Sequence, residues 1–154
     1  MSTADYLSSH PFFAGLDDEF IKFLSDSATR IRIKAGESLF KQGARADKFY
    51  LLRSGQVVVQ VPALMGPTLD IQTLGEDQIL GWSWLISPYR WSFQARAVED
   101  TELLEFDGAA ILAHCEADPK FGYELFKRFA SLMSERLDAA RQKMMDQWDP
   151  PGFA

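Results

Sequence analysis

The stretch from Thr29 to Phe106 constrains the fold most. Its apolar residues come in short alternating runs, the period-two pattern of half-buried strands. Ala35-Gly36, Gln42-Gly43, Ser54-Gly55 and Gly66-Pro67 cut these runs at turn-forming positions. Seven runs qualify as strands: 30–34, 48–53, 56–61, 69–74, 78–81, 92–98 and 102–106. Short strands so closely spaced predict a barrel or a sandwich.

Both flanks change period. Phe12, Phe13, Leu16, Phe20, Phe23 and Leu24 recur at helical spacing, and Asp17, Asp18 and Glu19 favour a helix start. This predicts one helix over 10–27, with residues 1–9 as a tail. Asp107 is placed to cap a short helix running to about Glu116. Asp118-Pro119 then combines an N-cap residue with proline at the first helical position. The helix it opens is expected to run from Pro119 to Trp148, where Asp149-Pro150-Pro151 ends it. Its length is about 45 Å, more than so small a domain needs for its own core.

Phe126, Phe129, Met133, Leu137, Ala140, Met144 and Trp148 form a stripe along that helix, at spacings of 3, 4, 4, 3, 4 and 4. Phe121, Leu125 and Leu132 widen the apolar face in the first half only. The expectation is a first half packed on the β domain and also on a partner, and a narrower second half projecting toward the partner's helix, a homodimer through 119–148. The alternative is a helix folded back on its own domain. One domain over 10–148 follows, with helix 10–27, β region 29–106, helices 107–148 and a tail of 149–154.

Composition removes several classes. At 47% hydrophobic and 25% charged residues the chain is not a disordered one. No stretch approaches the roughly 18 apolar residues of a membrane span. The first residues show neither a basic nor an apolar leader region, so no signal peptide is expected. The lone Cys115 excludes an internal disulfide and a four-thiolate metal site, which makes a reducing, cytoplasmic setting the expectation. Net charge −6 and a pI near 4.9, without a basic stripe, argue against DNA binding. Arg136, Arg141 and Lys143 alternate with Glu135, Asp138 and Asp146, which reads as a solvated helix face.

The middle of the chain is more specific. The segment Ala35-Gly36-Glu37-Ser38-Leu39-Phe40-Lys41-Gln42-Gly43 is followed by a run from Ala46 to Val57 that reads Ala-Asp-Lys-Phe-Tyr-Leu-Leu-Arg-Ser-Gly-Gln-Val. It resembles the cyclic nucleotide-binding domain, in the branch of the bacterial catabolite activator and fumarate–nitrate regulators. The resemblance spans about residues 10 to 148. It implies an α+β fold: an eight-stranded β-roll of jelly-roll, cupin-like topology, an N-terminal helix and a long C-terminal dimerisation helix. Regulators of that kind continue into a helix-turn-helix domain. Only six residues follow Trp148 here, so a stand-alone sensor-like domain without direct DNA binding is expected.

The ligand segment departs from the family pattern. The family's phosphate-binding cassette has Gly-Glu, a short helix, then an Arg before a small residue; the Glu holds the ribose and the Arg the cyclic phosphate. Gly81 takes the glycine position, but Trp82 stands where the Glu belongs. Trp91 stands where the Arg belongs, with Arg90 one residue early. A one-residue shift in extended backbone turns a side chain to the opposite face, although Arg90 sits at a loop–strand junction from which a long side chain has reach.

Two readings follow. In the first, Gly81, Trp82, Ser83, Trp84, Leu85, Arg90, Trp91, Ser92 and Phe93 form a rebuilt site. Its helix-start N–H groups, the Ser83 and Ser92 hydroxyls and Arg90 would hold an anion, and its aromatics would pack a planar, nucleotide or adenosine-like ligand. Such a sensor would signal to a protein partner. In the second, Trp82, Trp84 and Trp91 fill the ancestral pocket, leaving a ligand-free interaction module. Ordinary cyclic nucleotide binding in the usual pose is a third and weaker reading, because both charged contacts are missing. The run His114-Cys115-Glu116 with Asp118 puts neighbouring residues on different sides of a helix, so no metal site is expected. No nucleophile elbow, zinc-helix or phosphate-loop motif is present, and no enzyme is expected.

Overall fold

The computed structural model describes residues 2–62, 65 and 67–147. Gly66 of the Gly66-Pro67 turn, Trp148, the stop at Asp149-Pro150-Pro151 and the rest of the tail 149–154 lie outside the described residues.

Among the described residues, eight strands form two antiparallel four-stranded sheets. They are β1 (Ala28–Ile33), β2 (Ser38–Phe40), β3 (Lys48–Ser54), β4 (Val57–Val61), β5 (Leu69–Leu74), β6 (Ile79–Leu80), β7 (Gln94–Ala97) and β8 (Thr101–Asp107). One sheet has the order β1-β8-β3-β6, the other β2-β7-β4-β5. β2 is absent from the alternating runs because three residues are too few to show a period, and its register with β7 slips between Ser38 and Phe40. β7 is shorter than the expected 92–98, because its entry is a loop.

β3 divides the core. Successive side chains of a strand face opposite ways. Phe49 and Leu51 join Leu104 and Phe106 of β8 in a core beneath the helices. Tyr50 and Leu52 join Leu103 inside the roll, with Val57, Leu74, Leu80 and Trp91. This strand is therefore apolar at consecutive positions, being buried on both faces.

Among the described residues, four α-helices cover the outer core: α1 (Thr3–Ser9), α2 (Asp18–Asp26), α3 (Gly108–Ala117) and α4 (Pro119–Gln147). The single helix expected over 10–27 is corrected: only Asp18–Asp26 is helical there, and residues 1–9 are not a plain tail. Ser2 and Asp5 make a reciprocal capping box that starts α1. His10 is extended ahead of Pro11, and Gly15 takes φ +87°, so the chain turns before Asp17 and α2 begins. The Tyr6 hydroxyl donates to Asp77. His10 Nδ1 accepts the Phe12 N–H at 3.0 Å, and its Nε2 bonds the Asp77 carbonyl at 2.6 Å. These contacts tie α1 to the β5–β6 turn.

The two C-terminal helices match their sequence signals. Asp107 accepts from Ala110 N–H at 3.1 Å, and Asp118 accepts from Phe121 N–H at 3.3 Å. Gly122 lets α3 and α4 approach closely: a Cβ there would lie 2.8 Å from the Cys115 carbonyl oxygen. Among the described residues no helix is long and apolar enough to cross a membrane.

Candidate functional site

The first half of α4 is anchored in the core. Phe129 packs edge-on against Phe49, Trp84 and Phe12, with centroids 5.2, 5.4 and 4.9 Å away. Beyond it the helix stands off from the roll and encloses a cavity of about 430 Å³, within the usual range for small-molecule sites. The roll supplies Phe40, Val59, Ile71, Gln72, Leu80, Gly81, Trp82, Ser83, Trp91 and Phe93. The helix supplies Met133, Arg136, Leu137, Ala139, Ala140 and Lys143.

The cassette is thereby split. Gly81, Trp82, Ser83, Trp91 and Phe93 line the cavity. Trp84, Leu85, Arg90 and Ser92 do not, and the expectation that all nine residues converge is corrected. Backbone alternation explains the Arg90 case. Trp91 N–H donates to the Ala44 carbonyl at 2.9 Å and Gly43 N–H to the Trp91 carbonyl at 2.8 Å, so this segment is extended and paired. Trp91 faces the roll interior, while Arg90 and Ser92 face solvent. The Arg90 guanidinium donates to the Gly43 carbonyl at 3.0 Å.

Trp84 is drawn into the outer core. It stacks on Phe49 at 5.0 Å, and its Nε1–H donates to the Gly81 carbonyl at 3.2 Å. Leu85 follows it into the same core. The helix start expected at Gly81–Trp84 is a three-residue 3-10 turn, Ser83–Leu85, too short for aligned peptide dipoles to accumulate.

The tryptophans do not fill the space between roll and helix. Trp91 lies flat on Phe40, with ring centroids 3.7 Å apart and planes 9° apart, and so forms a wall. Gly81 makes that packing feasible: at φ +101°, a Cβ would come within 2.8 Å of the Trp91 ring. Trp82 faces α4 across the cavity mouth, its ring centroid 5.6 Å from the Arg136 guanidinium carbon.

The charges of the site lie on the helix. Arg136 is half-buried, stands over Trp82 and donates to the Ile79 carbonyl. Burial pulls its guanidinium down to about 10, so it remains a cation at neutral pH. Lys143 Nζ reaches the Asp70 and Ile71 carbonyls at 3.4 and 3.3 Å. The solvated-face expectation is therefore corrected for Arg136, whereas Lys143 remains exposed. A signal was present: Arg136 and Lys143 share one helix face with Met133 and Ala140 of the apolar stripe, at spacings of 3, 4 and 3.

Away from the cavity, His114 stacks on Phe23 at 4.2 Å, and burial pushes the Cys115 thiol up to about 11. Both side chains pack.

The model of the family described as the cyclic nucleotide-binding domain matches residues 30–118. The cyclic AMP receptor protein of Thermus thermophilus is 30% identical over 134 residues, which is 87% of this chain and 60% of that protein. The crystal structure of Thermus thermophilus catabolite activator protein superposes with a TM-score of 0.70 at 29% identity, over 87% of this chain and 61% of that one. A Geobacter metallireducens protein named for cyclic nucleotide binding gives a TM-score of 0.80 at 26% identity, over 89% of this chain and 99% of that one. The chain spans between 16% and 60% of the length of the curated relatives it matches.

Proposed function

This chain belongs to the cyclic nucleotide-binding domain family, and from that premise we propose that it is a dimeric regulatory domain whose small-molecule ligand sits between the roll and α4. Two of the similar structures are named as a catabolite activator protein and as the sensor domain of a transcriptional regulator, which supports a regulatory rather than an enzymatic role. The observation that carries the reading is the cavity of about 430 Å³, walled by the cassette on one side and by the second half of α4 on the other. A ligand touching both walls binds one helix position better than another, which is the condition for shifting a conformational equilibrium. The signal then passes along α4 to a second copy and on to a protein partner.

Dimerisation is supported by the same helix. Leu137 and Met144 are 69% and 70% exposed in the single chain, and Tyr123, Phe126 and Met145 are exposed too. Apolar side chains at helical spacing on one element suit a partner helix. The single buried thiol agrees with a cytoplasmic setting.

A thermal-unfolding titration tests the reading. Cyclic AMP, cyclic GMP, AMP, adenosine and the neutral planar compound indole are compared on the intact protein and on Ala140→Trp, which fills the cavity. A native-state ligand at a hundredfold excess over Kd adds about 2.7 kcal/mol. The expected result is a saturable shift with at least one compound, lost in Ala140→Trp. No shift with any of them at millimolar concentration favours the ligand-free interaction module instead.

A further inference from the structure

The cavity is an unusual place in this chain electrostatically. The whole protein carries net charge −6, yet among the described residues no carboxylate lines the cavity, and two cations do. Both come from α4. Arg136 and Lys143 are seven residues apart, two turns on one helix face, about 10 Å along the axis. Among the described residues the roll wall opposite carries no charged side chain, and its neutral polar side chains there are Ser83 and Gln72. The rest of that wall is aromatic or aliphatic.

Such a lining discriminates by chemistry. A sugar brings several hydroxyls into the site, and each needs a partner once water is gone. An apolar body needs none and gains from contact with Trp82, Trp91 and Phe93. A negative group at one end is matched by the Arg136 fork, which suits a carboxylate in two-point contact.

We propose that the ligand is a carboxylate with an apolar body, aromatic or acyl, whose acid group is held by Arg136 of α4 rather than by the cassette. This rests on the cavity being the ligand site. The Arg136 side chain has one hydrogen bond to the roll, to the Ile79 carbonyl. A carboxylate beside that guanidinium links the roll to the helix through the ligand, so binding draws the second half of α4 inward. Lys143, at the mouth and more exposed, adds a weaker and salt-sensitive attraction.

Calorimetric titration of the full chain tests this with four probes: indole-3-acetate, octanoate and their amides, with cyclic AMP as comparator. The acid of at least one pair is expected to bind tenfold or more tighter than its amide. Arg136→Gln is expected to erase that preference, Arg136→Lys to restore part of it, and Arg90→Gln to leave it unchanged. The better pair separates an aromatic from an acyl body. Circular dichroism melts of each variant check folding. Equal binding of acids and amides, lost in Ala140→Trp, overturns the carboxylate assignment and leaves the ligand site standing. Cyclic AMP binding above both acids, indifferent to Arg136→Gln, does the same. Absence of binding by all five probes overturns both.

Discussion

The two halves of α4 share one helix and differ in what holds them. Phe121, Leu125 and Phe129 of the first half are fully buried, in contact with α2, α3 and the outer face of the roll. The second half reaches back to the roll largely through the long side chains of Arg136 and Lys143, and between those contacts lies the cavity. One continuous helix thus serves as core and then as a wall of the site. The first half is fixed by packing, whereas a handful of polar contacts positions the second. That places the more easily displaced half next to the proposed ligand site, where a ligand would have the most leverage.

Substitutions should separate the halves cleanly. Phe129→Ala removes the ring shared by three aromatic neighbours and is expected to cost about 3–5 kcal/mol in urea unfolding. A cost below about 1 kcal/mol would mean that the first half is not an anchor. Gly81→Ala, with its positive φ and the Trp91 ring against the added methyl, should lose roughly 1–3 kcal/mol and distort the roll wall. Leu137→Asp combined with Met144→Asp should convert a dimer to a monomer in analytical ultracentrifugation. The monomer's own stability should change by no more than about 0.5–1 kcal/mol, because both side chains are mainly solvent-exposed. A large loss of monomer stability would show instead that the second half is packed like the first.

The difference between the wild-type and Cys115→Ala stability profiles at alkaline pH probes the first half. Cys115 lies beneath α4 at its closest approach to α3, and its thiol is raised from 9 to about 11 by burial. Between those values the folded chain keeps a proton that the unfolded chain has released. Stability should therefore fall as pH rises from about 9 toward 11, and Cys115→Ala should flatten that part of the profile. The smallest effect is expected from Lys143→Gln: a change within about 0.5 kcal/mol in stability, since the contacts it makes are long and exposed.

How far the site could be read from sequence depended on the kind of signal. Trp82, Ser83, Trp91 and Phe93 were reachable, because the cassette is a contiguous segment with a fixed glycine. Arg90 was misplaced, because a junction between loop and strand hides the alternation until its pairing with residues 43–46 is known. Arg136 looked like any cation in an alternating charge run. Its role arises from Ile79 and Trp82, more than fifty residues away along the chain.

By itself the sequence determined the roll, the caps at Asp107 and Asp118, and the long helix from Pro119, since periodicity and capping are local and repeat over many residues. The segment before Asp17 escaped it, because Phe12 and Phe13 keep a helical spacing through a turn that Pro11 and Gly15 impose. Only the tertiary structure decided which tryptophans face the cavity, which cation enters it and where α4 leaves the core. Each of those depends on the angle at which one long helix crosses two sheets, and no local pattern encodes that angle.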